Sequence, residues 1–189
     1  MPPKVKVTKN EIIQAALDIV REQGDGALNA RSVADRLGCS TQPVFSNYPS
    51  MNDLRTDVMD AARKMYIKYV EEEIKKEKYP IYKSSGMAYI NFAKTEKELF
   101  RLLYMYDRTN DQQSDELHPF ITGFLSDKFG ISHEEARMFH LKMWVSVHGL
   151  AVLQATSFLE LPEDTVSEVM TDIFLGLVHR NEIKKENGQ

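Results

Sequence analysis

The chain has 189 residues, 42% hydrophobic and 28% charged, with a formal net charge of −4 and one cysteine. That length can bury a sizeable core, and that balance is the one expected of an ordinary globular protein. It excludes a histone-like polycation and a disulfide-stapled scaffold. No stretch of ~20 apolar residues spans a bilayer and no apolar leader precedes residue 8, so a cytoplasmic protein with no membrane partner is expected. Up to Arg55 there are seven Lys and Arg against six Asp and Glu, leaving 17 against 22 in the remainder. An acidic body with a mildly positive end fits a partner whose negative charge is met locally.

In chain order, residues 1–8 are short, basic and unpatterned: a loose end, or an arm whose Lys4 and Lys6 touch phosphates. Residues 8–24 predict a helix. Thr8 and Glu11 make a capping box, Ile12, Ala15, Ala16, Ile19 and Val20 fall on one stripe, and Gly24 stops it. Residues 28–54 then predict two short helices and the lead into a third. Asn29 caps the first, Val33, Ala34 and Leu37 are its buried face, and Gly38 turns the chain. Ser40 is the expected cap of the next, with Pro43 in its first turn. Two short helices on a tight glycine turn form a helix-turn-helix, whose second helix enters the DNA major groove. Ser50 caps a long helix over residues 51–78, expected to be the only link between this segment and the rest.

Tyr79-Pro80 breaks that rod. Helices follow over residues 81–94 and 96–106, the latter capped by Thr95 and apolar on most sides. Residues 107–115 form a polar loop and residues 115–129 a seventh helix. Ser132 caps a helix running to about residue 158, and Pro162 starts a ninth running to about residue 181, with a charged, frayed tail over residues 182–189. The fold class is therefore all-α, with about nine helices. Residues 1–50 are expected to form a helix-turn-helix domain, and residues 51–189 a ligand-binding and dimerisation domain. The eighth and ninth helices carry more Val, Leu, Met and Phe than a thin domain can bury, which points to a four-helix interface with a second copy.

Residues 11–54 resemble the DNA-binding domain of the TetR (tetracycline-repressor-like) family of bacterial regulators. The matching pieces are Ile12-Ile13-Gln14-Ala15-Ala16-Leu17, Gly24, Arg31-Ser32-Val33-Ala34, Leu37-Gly38-Cys39-Ser40, Val44-Phe45 and Asn47-Tyr48-Pro49-Ser50 with Leu54. The resemblance implies a homodimer on a double-stranded DNA operator, joined through the last two helices and released by a small-molecule effector. It puts Thr41, Gln42 and Pro43 nearest base edges, with Arg31, Ser40, Phe45, Ser46, Asn47 and Tyr48 around them. Gln and Asn can pair with adenine and Thr can touch a thymine methyl. Lys9 is a further phosphate candidate. Phe45 and Asn47 stand where the family commonly has Tyr and His, and Met51 where Lys is common. Those departures favour the alternative, a helical small-molecule-binding or scaffold protein that has lost operator binding.

Aromatic and polar-tipped side chains recur in the middle of the chain. Met65, Tyr69, Tyr89, Phe92, Leu103, Tyr104, Trp144 and His148 are the expected lining of an effector pocket, where the family places it. Trp144, His148 and Gly149 resemble the Trp…His-Gly signature of one subgroup of the family, with His140 two turns back on the same helix face. His140 and His148 lack a third ligand at metal spacing, so no metal and no cofactor are expected. Without a Gly-rich phosphate loop or nucleophile elbow, an enzyme is not expected.

Overall fold

The computed structural model describes residues 7–106 and 119–186. Among them every regular element is helical, as expected: nine α-helices and one 3-10 turn, Asp25–Ala27. The loop expected at residues 107–115 and the start of the seventh helix lie outside the described residues, as do Lys4, Lys6 and the last three residues of the tail.

Helix starts follow the capping chemistry. α1 (Lys9–Gln23) opens on the Thr8–Glu11 box, with the Glu11 carboxylate accepting the Thr8 N–H at 2.7 Å. α2 (Ala30–Leu37) opens on Asn29, whose side-chain oxygen accepts the N–H groups of Arg31 and Ser32. It ends at Gly38, left-handed at φ 65° and ψ 34°, where a side chain would be strained by backbone alone. α3 (Gln42–Asn47) departs from expectation. Thr41, not Ser40, is its cap residue, and neither hydroxyl caps it. Pro43 is the second helical residue and has no N–H, so one donor that a cap would satisfy is missing.

α4 (Met51–Lys75) starts from a Ser50–Asp53 box and is about 37 Å long at ~1.5 Å per residue. It stops three residues before the expected end. Lys76 pairs at 2.6 Å with buried Glu73, and Glu77 takes a positive φ of 51° that turns the chain ahead of Pro80. α5 (Ile81–Thr95) absorbs Thr95, so Thr95 caps nothing. Glu96 is the joint to α6 (Lys97–Tyr104). α7 (Pro119–Phe129) and α8 (His133–Ala155) follow, the second opened by the expected Ser132 box with Glu135. α9 (Glu163–Glu186) runs five residues past the expected end, because Glu and Lys are good helix formers and nothing there breaks the helix.

One large core cluster joins the two ends of the molecule. Ile12, Ile19, Val33, Val44, Leu54 and Val58 belong to the same contiguous set as Phe92, Leu99, Phe100, Leu150 and Met170. A smaller cluster of Leu125, Ile131, Ala136, Phe139 and Met143 lies between α7 and α8. α4 is therefore not the sole link between the N-terminal helices and the rest. Arg21 on α1 makes a bidentate pair with Glu96 at the α5–α6 joint, and Glu96 is buried. Tyr69 on α4 donates its hydroxyl to the same carboxylate at 3.0 Å. Burial and that carboxylate push the Tyr69 hydroxyl up to about 12.

Candidate nucleic-acid interface and ligand cavity

α2 and α3 pack across the Gly38 turn with Val33, Ala34 and Val44 inward. Their outer side carries Arg31, Ser40, Gln42, Phe45 and Ser46, all exposed, with Thr41, Pro43 and Asn47 half-exposed. Two of these side chains are partly spent on their own helix. Ser46 donates to the Gln42 carbonyl and Asn47 to the Pro43 carbonyl, both at 2.8 Å. Gln42 has no such local bond and projects from the first turn. Phe45 is 56% exposed, so an apolar ring stands on the outer face.

The structure sets Tyr48 apart from its neighbours. Its ring is buried, and its hydroxyl donates to Asp57 on α4 at 2.8 Å. Lys9 approaches the same carboxylate at 2.7 Å and lies 5.0 Å above the Tyr48 ring. Tyr48 thus fixes the end of α3 to α4, and Lys9 is held to that joint. Lys9 first, and the Tyr48 hydroxyl second, hold the Asp57 carboxyl below the usual carboxylate range. A depressed carboxyl stabilises the fold above its unfolded pKa and loses that contribution as pH falls through its folded one. Asp57→Asn is therefore expected to remove a stability increment of roughly 1 kcal/mol near neutral pH, after discount for solvent. The gap from the parent should close below about pH 4. Urea unfolding at pH 7 and pH 3 checks it.

The cations of this end differ in how firmly they are held. Arg21 pairs with Glu96, Arg36 with Glu22, and Arg55 with Asp25 at 2.8 Å. Arg31 meets only Asp35, at 3.9 Å, and its side chain is 88% exposed. A contact that long at such exposure is worth little, so among the described residues of this end Arg31 is the cation most readily redirected to a phosphate.

A cavity of about 910 Å³ lies among α4 to α9. Of the expected lining, Tyr89, Leu103, Tyr104 and Trp144 are on its wall. Met65, Tyr69, Phe92 and His148 are not. The four are displaced for specific reasons. Phe92 is fully buried against Tyr66 and Tyr69, and Tyr69 turns to Glu96. Met65 packs on the main core. His148 stands behind the wall, stacked on Trp144 with ring centres 5.0 Å apart and bonded to the Tyr89 hydroxyl at 2.9 Å.

The wall also holds residues outside that expected set, among them Tyr66, Tyr82, His140, Met143, Phe174 and the charged Asp60, Arg63, Lys83 and Lys128. Tyr82 and His140 share a 2.9 Å hydrogen bond that repeats the Tyr89–His148 bond one layer away. Burial pushes the Tyr82 hydroxyl well above its ordinary value. The two bonds lie at Tyr82 and Tyr89 on α5 and at His140 and His148 on α8, so these helices run the same way. The sevenfold spacing of the tyrosines against the eightfold spacing of the histidines was a usable signal for that pairing. Gly86 lies between the rungs. A Cβ there would meet the Met170 methyl at 2.5 Å, so its absence lets α9 close on α5.

Among the described residues, no three His, Cys, Asp or Glu side chains gather as a metal set. No helix among them is long and apolar enough to cross a membrane.

Residues 83–174 match the family model of the tetracyclin repressor-like C-terminal domain. The match covers most of the cavity wall, together with Trp144, His148 and Gly149. No curated protein matches the chain. The match supports a regulator of the tetracycline-repressor-like family.

Proposed function

We propose that the chain is a ligand-responsive transcriptional repressor that binds a palindromic operator as a cytoplasmic homodimer and is released by a small effector. The observation that carries this is one helix serving two ends. α4 packs Leu54, Val58 and Ala62 into the core shared with the N-terminal helices, and its Asp60, Arg63, Tyr66 and Ile67 line the cavity. An occupant that prefers one tilt of α4 shifts the population toward that tilt by its difference in affinity, and by no more. The Arg21–Glu96–Tyr69 contact carries the same bias to α1.

The proposed interface is the outer side of α8 and α9. Met138 and Val145 are exposed on α8, seven residues apart, and Gly149 is exposed one turn further on. Leu175 and Gly176 are exposed on α9. An added Cβ at Gly149 or Gly176 meets nothing within 4 Å, so this side has room for a close helix partner. Two copies would set their α3 helices in successive turns of one groove, about 34 Å apart.

The second reading, a helical binder without DNA, is favoured by the exposed Phe45 and by the pairing of Lys9, Arg21, Arg36 and Arg55 with carboxylates at the N-terminal end. One experiment separates the two. The full chain is used to select from random-sequence duplex DNA at low salt. A regulator enriches a two-fold symmetric site with half-sites about one turn apart; a binder without DNA enriches none, and that result overturns the proposal.

A further inference from the structure

We infer that the cavity takes an anion: a ligand with an aromatic or apolar body and one acidic group, such as a carboxylate or sulfonate. The inference rests on the reading of the cavity as the effector site. Among the described residues, four formally charged side chains line the wall, and they do not balance. Asp60 and Arg63 neutralise each other at 2.8 Å. Lys83 and Lys128 remain. Lys83 is half-buried, donates to the Thr171 hydroxyl at 2.7 Å, and stands 4.7 Å over the Tyr79 ring. Lys128 lies 5.5 Å from the Phe124 ring centre and 5.9 Å from that of Phe129.

Among the described residues, neither ammonium group has a carboxylate within ion-pair distance. Both rest on aromatic faces, and Lys83 also on a hydroxyl, partners that solvate a cation without cancelling its charge. The remaining wall is mostly aromatic and aliphatic, so the charge of half-buried Lys83 is felt more strongly than in water, while exposed Lys128 stands at the rim. A neutral occupant leaves two positive charges uncompensated at a largely apolar surface, and a cationic one adds a third. An anion with a flat apolar body fills the wall and meets the charge. Lys83 also joins α5 to α9 through Thr171, so an acidic group that draws Lys83 into the cavity competes with that inter-helix bond.

Two dyes with one ring system test this. Anilinonaphthalene sulfonate carries an acidic group, and N-phenylnaphthylamine has the same rings without it. Each is titrated by fluorescence into the full chain. The sulfonate is expected to bind at least about tenfold more tightly, a gap of one charge-assisted contact. The double variant Lys83→Met, Lys128→Met should lose that gap and keep its affinity for the neutral dye. The pair Lys83→Arg, Lys128→Arg should keep the gap, as should a control, Lys68→Met with Lys75→Met, on exposed positions of α4 outside the cavity.

Equal binding of the two dyes by the parent, or a gap that survives in the double methionine variant, overturns the anion inference and leaves the effector site standing. Failure of both dyes to bind the parent overturns the effector site itself. Should the double methionine variant bind neither dye, Lys83→Gln and Lys128→Gln singly decide in its place. Each must then lose part of the gap, and two unchanged gaps overturn the inference.

Discussion

Arg21→Ala is expected to lower the unfolding free energy by about 3 kcal/mol, an effect on the scale of uncovering a buried charge. Glu96 is 3% exposed. Its carboxylate is satisfied by the two guanidinium contacts from Arg21 and by the Tyr69 hydroxyl. Without Arg21 the carboxylate stays in the same place with one hydroxyl and no counter-charge. Glu96→Gln is expected to cost less, about 1–2 kcal/mol, because an amide is cheaper to bury and Arg21, half-exposed, returns to water. The order of the two variants is the diagnostic, since a simple surface ion pair would make both nearly silent. Urea unfolding followed by circular dichroism measures it, and an Arg21→Ala loss under about 0.5 kcal/mol would contradict the buried-charge account.

Combining Arg31→Ala with Gln42→Ala should abolish operator binding at moderate salt while leaving the fold intact, because both side chains are exposed. The two should fail differently. Arg31→Ala removes a phosphate contact, so affinity falls by a similar factor on every sequence and the salt slope drops by about one. Gln42→Ala removes a base contact, worth about 1–3 kcal/mol, and relaxes the preference at a single base pair in each half-site. Mobility shifts on the selected site and on its single-base variants, at two salt concentrations, distinguish the pattern. Equal loss of sequence preference from both variants would place Arg31 on a base. Loss from neither would move the contact surface away from α2 and α3.

Local chemistry made much of this fold legible. Thr8, Asn29, Ser50 and Ser132 each sit three residues ahead of a matching acceptor or hydroxyl, and all four helix starts follow. α3 broke the pattern because Pro43 removes the donor that a Ser40 cap needs, a detail visible in the sequence and outweighed by the commoner motif. Long-range pairing was less legible. Nothing local to Glu96 announces Arg21, 75 residues away, so α4 stood in the sequence as a lone connector. The cavity wall was half legible for the same reason. Helical spacing places Trp144 and His148 on one face, but the layer on which each falls depends on the angle between α5 and α8. That pairing is fixed by the two tyrosine–histidine bonds and by the approach of Val147 to Gly86.

Trp144 is the one tryptophan in the chain. It lines the cavity with its indole flat against the His148 imidazole. Its ultraviolet emission therefore arises from a single place, free of the averaging that several indoles impose. A molecule entering the cavity alters the polarity beside that ring, and the emission maximum and intensity move with it. The protein carries its own optical gauge of occupancy, usable on the unlabelled chain and in the presence of DNA.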